Sequence, residues 1–136
     1  SEQQNELLDS TYFFVRELVA GRIAGLENYK QTRPTQFGHR IRPSDFPATE
    51  ILFNSFKNYL KDNKFPKYLI ADLESDKKFI GLRIKYNLAT ALFGGVSANQ
   101  VLIEEDLQVA KAVESLPKAQ NLAQSARKSW QNRLNK

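Results

Sequence analysis

Asp72-Leu73-Glu74-Ser75-Asp76-Lys77-Lys78-Phe79-Ile80-Gly81-Leu82-Arg83-Ile84-Lys85-Tyr86-Asn87-Leu88-Ala89-Thr90-Ala91-Leu92-Phe93-Gly94-Gly95 is the stretch on which the fold of this chain turns. Phe79, Leu82, Tyr86, Ala89 and Phe93 recur at steps of three and four, and Ile80, Ile84, Leu88 and Leu92 form a second row beside them. Two adjoining rows make an apolar face too wide for one neighbour to cover, so the segment reads as a helix packed from several sides. Asp72, Glu74 and Asp76 fall in its opening turns, where carboxylates favour the positive end of the helix dipole, and Gly94-Gly95 supplies a stop. Gly81 inside the pattern costs about 1 kcal/mol relative to Ala and points to close approach of another backbone.

Upstream of this helix, Asn63 to Ala71 with Pro66 reads as a connection. Ser44-Asp45-Phe46-Pro47 is a helix-entry signal, since a short oxygen-bearing side chain accepts from orphan amides and proline fits the first turn. That helix should run to about Asp62, with Ile51, Leu52, Phe53, Phe56, Tyr59 and Leu60 opposite Asn54, Lys57, Asn58 and Lys61. Leu26 to Ile41 holds Tyr29, Pro34, Phe37 and Gly38 among polar residues and shows no helical period; with Pro43 beyond it, residues 26–43 read as an irregular insertion, either a loop or a short hairpin. At the N-terminus, residues 1–6 are polar and expected to fray. Asp9 or Ser10 then caps a helix from Thr11 to about Ala20, with Leu8, Tyr12, Val15 and Val19 on one face, Phe14 and Leu18 widening it, and Gly21 and Gly25 ending it.

Downstream, Ser97 caps a short helix of Ala98 to Glu104 with Val101 and Leu102 inward. Glu104-Glu105-Asp106 opens the next, in which Leu107, Val109, Ala110 and Val113 repeat at helical spacing. Leu116-Pro117 interrupts, and a last helix of about Lys118 to Asn132 carries Leu122, Ala123, Ala126 and Trp130. No repeat of fixed period runs through the chain. Five or six helices with one irregular insertion predict a single all-α domain over residues 1–136.

Composition agrees with a folded protein. At 136 residues, 41% hydrophobic and 26% charged, the chain is one domain's worth, able to bury roughly two-thirds of the surface its unfolded form exposes. No apolar run reaches the roughly 18 to 20 residues that span a bilayer. The absence of cysteine removes disulfides, thiolate nucleophiles and sulfur-ligated metals. A chain that begins Ser-Glu-Gln-Gln and contains no methionine is expected to be a fragment or processed form of a longer one. The net charge of +5 is located: residues 115–136 contain Lys118, Arg127, Lys128, Arg133 and Lys136 with no acidic residue, while residues 1–114 hold 15 basic and 15 acidic ones.

Candidate chemistry is sparse. His39, the sole histidine, has no second histidine or cysteine with which to build a zinc site and reads as a surface-loop residue. No serine sits in a Gly-x-Ser-x-Gly elbow. Lys85 and Lys118 come nearest to the base of a Ser/Lys dyad, but both lie on or beside faces that look solvated. Glu104, Glu105 and Asp106 suit a cation, and more simply a helix start. No catalytic, cofactor-binding or metal-ligating residue is therefore assigned. Arg127, Lys128, Trp130 and Arg133 form a possible basic interaction face, suited to nucleic acid or an anionic surface; the spacing of Leu122, Ala126 and Trp130 also suits packing on the body of the domain.

Lys78-Phe79-Ile80 with Leu82-Arg83-Ile84, Ala89-Thr90-Ala91-Leu92-Phe93-Gly94, Gln100-Val101-Leu102, Asp106-Leu107-Gln108-Val109-Ala110-Lys111-Ala112 and Leu116-Pro117-Lys118-Ala119 resemble the C-terminal region of bacterial carboxyl-terminal processing serine proteases. Ala24-Gly25-Leu26-Glu27-Asn28-Tyr29-Lys30, Arg33-Pro34, Asp45-Phe46-Pro47 and Thr49-Glu50 continue the resemblance upstream in the same order. It implies a non-catalytic helical accessory domain that packs on, or dimerises, the core of a Ser/Lys-dyad hydrolase. The implied partners are that protease core and the PDZ-type domain of the same parent chain, in the periplasm or cell envelope. Neither the dyad nor the PDZ-type domain has a matching motif here, so no site residue carries over. A small helical nucleic-acid-binding module using the basic C-terminal helix is the alternative.

Overall fold

The computed structural model describes residues 2–42 and 44–136, with residues 68, 69 and 107–109 described by backbone alone. The protein is all-α. Among the described residues six α-helices follow one another: α1 (Glu2–Val19), α2 (Glu50–Asp62), α3 (Lys67–Ala71), α4 (Lys77–Phe93), α5 (Gly95–Glu104) and α6 (Leu107–Leu134). A 3-10 turn, Glu27–Tyr29, lies in the insertion. The chain divides into two units, Ser1–Leu102 and Ile103–Lys136.

In the first unit α4 is the central element, as its two apolar rows predict. Ile80, Ile84 and Leu88 of the second row are buried with Ala89, while Phe79, Leu82, Tyr86, Leu92 and Phe93 pack more shallowly around them. α1 lies alongside α4 in the same direction: Gln3 and Gln4 donate to the two Asp76 carboxylate oxygens, both at 3.0 Å, and eleven residues further along α4 Asn87 Nδ2 donates to Thr11 Oγ1 at 3.4 Å. α2 closes the core, with Phe56 set edge-on to Phe14 of α1 at 5.3 Å between ring centroids. The tight approach at Gly81 is to a side chain, not a backbone: a Cβ there would meet the Ala48 methyl at 3.2 Å.

Several predicted boundaries shift, each for a visible reason. α1 starts at Glu2, so Asp9 and Ser10 lie inside it and the first turns do not fray. The Gln3 and Gln4 bonds to Asp76 anchor those turns, Leu7 is fully buried, and the Ser10 and Thr11 hydroxyls donate back to the Glu6 and Leu8 carbonyls instead of capping. The inward face of α1 is also rotated from the expected one: Leu7, Thr11, Phe14 and Leu18 are buried, whereas Tyr12 is exposed. α2 is capped by Thr49, whose side chain accepts from the Leu52 amide at 3.2 Å, and not by Ser44 or Asp45. α4 opens at Lys77, leaving Asp72 to Asp76 in turns before it. α5 begins at Gly95, and Ser97 is buried within it.

The insertion forms no strand among its described residues; Pro43 lies outside them. What replaces a hairpin is a strap tied to the end of α4. Gln31 Nε2 and Thr35 Oγ1 both donate to the Ala91 carbonyl, at 3.3 and 3.2 Å, and the Gln36 amide donates to the Leu92 carbonyl at 2.8 Å. These are carbonyls in the last turn of α4 that have no partner inside the helix, so the strap caps it from outside. The Ile41 amide donates to Gln100 Oε1 of α5 at 2.9 Å, and Ile41 and Phe46 are buried.

In the second unit α6 is one continuous helix of 28 residues, with Pro117 inside it instead of interrupting it. Pro117 leaves the Val113 carbonyl without its usual amide. Val113 is exposed, so water can take that place, and the flanking Ala, Leu, Lys and Gln residues favour the helix on both sides. Leu107 and Val109, which with Ala110 and Val113 repeat at helical spacing, lie outside the described side chains.

Candidate interaction surfaces

Residues 110–136 are exposed throughout, so α6 presents its own surface chemistry. Val113, Leu116, Ala123, Trp130 and Leu134 recur at steps of three, seven, seven and four, a single stripe along the helix. Of these, Val113, Leu116, Trp130 and Leu134 are large apolar side chains at 55% exposure or more. Arg127 and Arg133 flank Trp130 at three residues on either side and share its side of the helix. Lys128, two residues before Trp130, lies across the axis. The helix thus brings together three of the four residues of the basic face read from the sequence.

Of the aromatic residues Tyr12, Phe13, Phe14, Phe53 and Phe56 on α1 and α2, the last three are buried. Phe53 is flanked by Lys57 and Lys77, whose ammonium groups sit 5.5 and 5.0 Å from its ring centre. Tyr12 and Phe13 remain outside as an edge-to-face pair 5.5 Å apart. Tyr12 borders a hollow of ≈ 260 Å³ between α1 and α4, lined by Val15, Val19 and Ala91.

His39 is more constrained than a surface-loop residue. Its ring stacks on Phe93 at 4.0 Å and 20°, and its Nε2 lies 3.0 Å from Asp45 Oδ2. The same Asp45 oxygen accepts the Arg42 amide at 2.8 Å. Partial burial pushes the Asp45 carboxyl up, but the His39 and Arg42 hydrogen bonds outweigh it, and the carboxyl titrates below its ordinary range. The partner of His39 is therefore a carboxylate six residues away, and the pair closes the strap.

Around this clasp the strap is basic. Between Asn28 and Ser44 there is no carboxylate, while Lys30, Arg33, Arg40 and Arg42 are all present and exposed. Among the described residues none of these four makes a salt bridge, although the Arg42 charge also acts on Asp45. Phe37, between Arg33 and Arg40 in sequence, is 82% exposed. One edge of its ring rests on Gly94, where a Cβ would meet it at 2.8 Å. A hollow of ≈ 170 Å³ between the strap and the end of α4 is lined by Lys30, Arg33, Pro34, Leu92 and Phe93. Sequence reading passed over this surface because the 15 basic and 15 acidic residues of positions 1–114 cancel when summed together. A running charge over shorter windows would have exposed it.

Lys85 is half-buried on α4, and Lys118 stands on the exposed face of α6. Glu104 closes α5, and the Asp106 carbonyl accepts the Ala110 amide at 3.0 Å, opening α6. Among the described residues no three His or carboxylate side chains converge as a metal-binding set, and no helix is long and apolar enough to cross a membrane. Compared with known proteins, the chain matches no family model, no curated protein and no solved structure.

Proposed function

We propose that this chain is a non-catalytic helical accessory domain of a carboxyl-terminal processing serine protease, acting by packing on, or dimerising, the protease core in the cell envelope. One observation carries the docking role: α6, about 42 Å long at 1.5 Å per residue, bears an exposed apolar stripe of Val113, Leu116, Trp130 and Leu134. Large apolar side chains aligned along one face are the chemistry of an interface. The protease context is supported by the sequence resemblance of residues 24–50 and 78–119, and the catalytic groups belong to the parent chain.

The test compares the isolated chain with the parent protease carrying or lacking it, using unfolded peptides with free C-termini as substrate. The expected result is no hydrolysis by the isolated chain, and loss of assembly or activity in the parent when Leu116 and Trp130 are both replaced by Asp. Hydrolysis by the chain alone, or an unaffected parent, overturns the proposal. A second reading draws on Arg127, Trp130 and Arg133 sharing one side of α6: a nucleic-acid-binding helix. Binding of the chain to random duplex DNA, falling steeply as salt rises, is the outcome that would favour it.

A further inference from the structure

We infer that the strap of residues 30–42 is a second docking surface, separate from α6, which takes an acidic polypeptide segment carrying aliphatic side chains. An irregular segment normally stays mobile because ordering each residue is opposed by conformational entropy. This one is tied down by Gln31, Thr35 and Gln36 to the last turn of α4, by Ile41 to Gln100, and by the His39 clasp onto Phe93 and Asp45. The result is a tethered backbone that carries four exposed cations and an exposed aromatic ring within thirteen residues, which lowers the entropy lost when a partner binds.

Charge complementarity selects the partner. Lys30, Arg33 and Arg40 are exposed cations with no salt bridge among the described residues, and arginine favours carboxylates because its planar fork can bind them in bidentate fashion. The apolar elements, Phe37 and the Leu92 and Phe93 lining of the hollow, accept an aliphatic side chain set between those carboxylates. A polynucleotide fits less well. Four cations fall short of the roughly six to ten phosphate contacts of a strong nucleic-acid site. The Gln31 and Thr35 side chains, which could read a base edge, are already committed to Ala91.

Fluorescence anisotropy on the 136-residue chain tests this with three probes: a labelled peptide of alternating Glu and Leu, the same peptide with Gln for Glu, and oligo(dT). The Glu/Leu peptide is expected to bind, to weaken as salt rises, and to exceed the Gln peptide by about tenfold or more. Arg33→Glu combined with Arg40→Glu, and separately Phe37→Ala, should each weaken it by about tenfold with helicity unchanged, since all three side chains are exposed. Arg127→Glu with Arg133→Glu should leave it unaltered. Absence of peptide binding, indifference to the strap variants, or tighter binding of oligo(dT) than of the peptide overturns the inference. The assay involves no protease, so its failure leaves the α6 docking reading standing, and the converse holds too.

Discussion

Phe37 and Gly94 show how one contact can depend on the lack of an atom. Gly94 has φ of 86° and ψ of 164°, a conformation that side chains rarely adopt, and the Phe37 ring fills the space where a Cβ would stand. Gly94→Ala should therefore destabilise by about 1–3 kcal/mol in urea denaturation, and removing Phe37 in the same molecule should recover only the steric part. Asp45 is a residue at which pH acts on the strap. Its folded carboxyl titrates below its ordinary range, so the stability it contributes is complete above about pH 4 and is lost as pH falls through the folded value. Asp45→Asn should flatten the acid limb of a stability profile below about pH 4 and leave its shape near neutrality unchanged. His39 could not be read this way in the sequence, because its main contact, the Phe93 ring, lies far along the chain on α4.

At the level of elements, caps divide into those that local chemistry chooses and those that packing chooses. Thr49 has the right oxygen one residue before α2, yet Ser44-Asp45 has the stronger local signature and loses, because Asp45 is drawn to His39 and the Arg42 amide. Thr49→Ala should cost about 1 kcal/mol, measured as a lower denaturation midpoint with an unchanged slope. Pro117 is the reverse case, a strong local breaker tolerated within α6. Pro117→Ala should stabilise that helix by up to about 3 kcal/mol. Hydrogen exchange should register this as greater protection of the amides from Val113 to Asn121. The central helix was legible because its two apolar rows extend over four turns, and a signal that long survives local exceptions such as Gly81 and Lys85.

For the molecule as a whole, the first unit rests on one core in which Phe14 and Phe56 are fully buried and meet edge to face. Phe56→Ala should remove about 3–5 kcal/mol, a large share of the roughly 5–15 kcal/mol that holds a domain of this size together. Thermal unfolding followed by circular dichroism should show that loss as a lower midpoint. Two of the exposed surfaces differ in kind, an apolar stripe on α6 and a cationic strap that carries Phe37, which is why separate partners are assigned to them.

By itself the sequence determined that this protein is helical, where its central helix runs, and that an irregular insertion interrupts the helices. Those properties follow from periodicity and glycine placement, which act within a few residues and are written along the chain. Only the tertiary structure decided that α1 begins at Glu2, that the insertion is a strap and not a hairpin, and that the Phe37 ring comes to rest on Gly94. Each of those depends on a contact with a residue 50 or more positions away, as with Gln4 and Asp76 or Thr35 and Ala91, and no local pattern encodes such a partner.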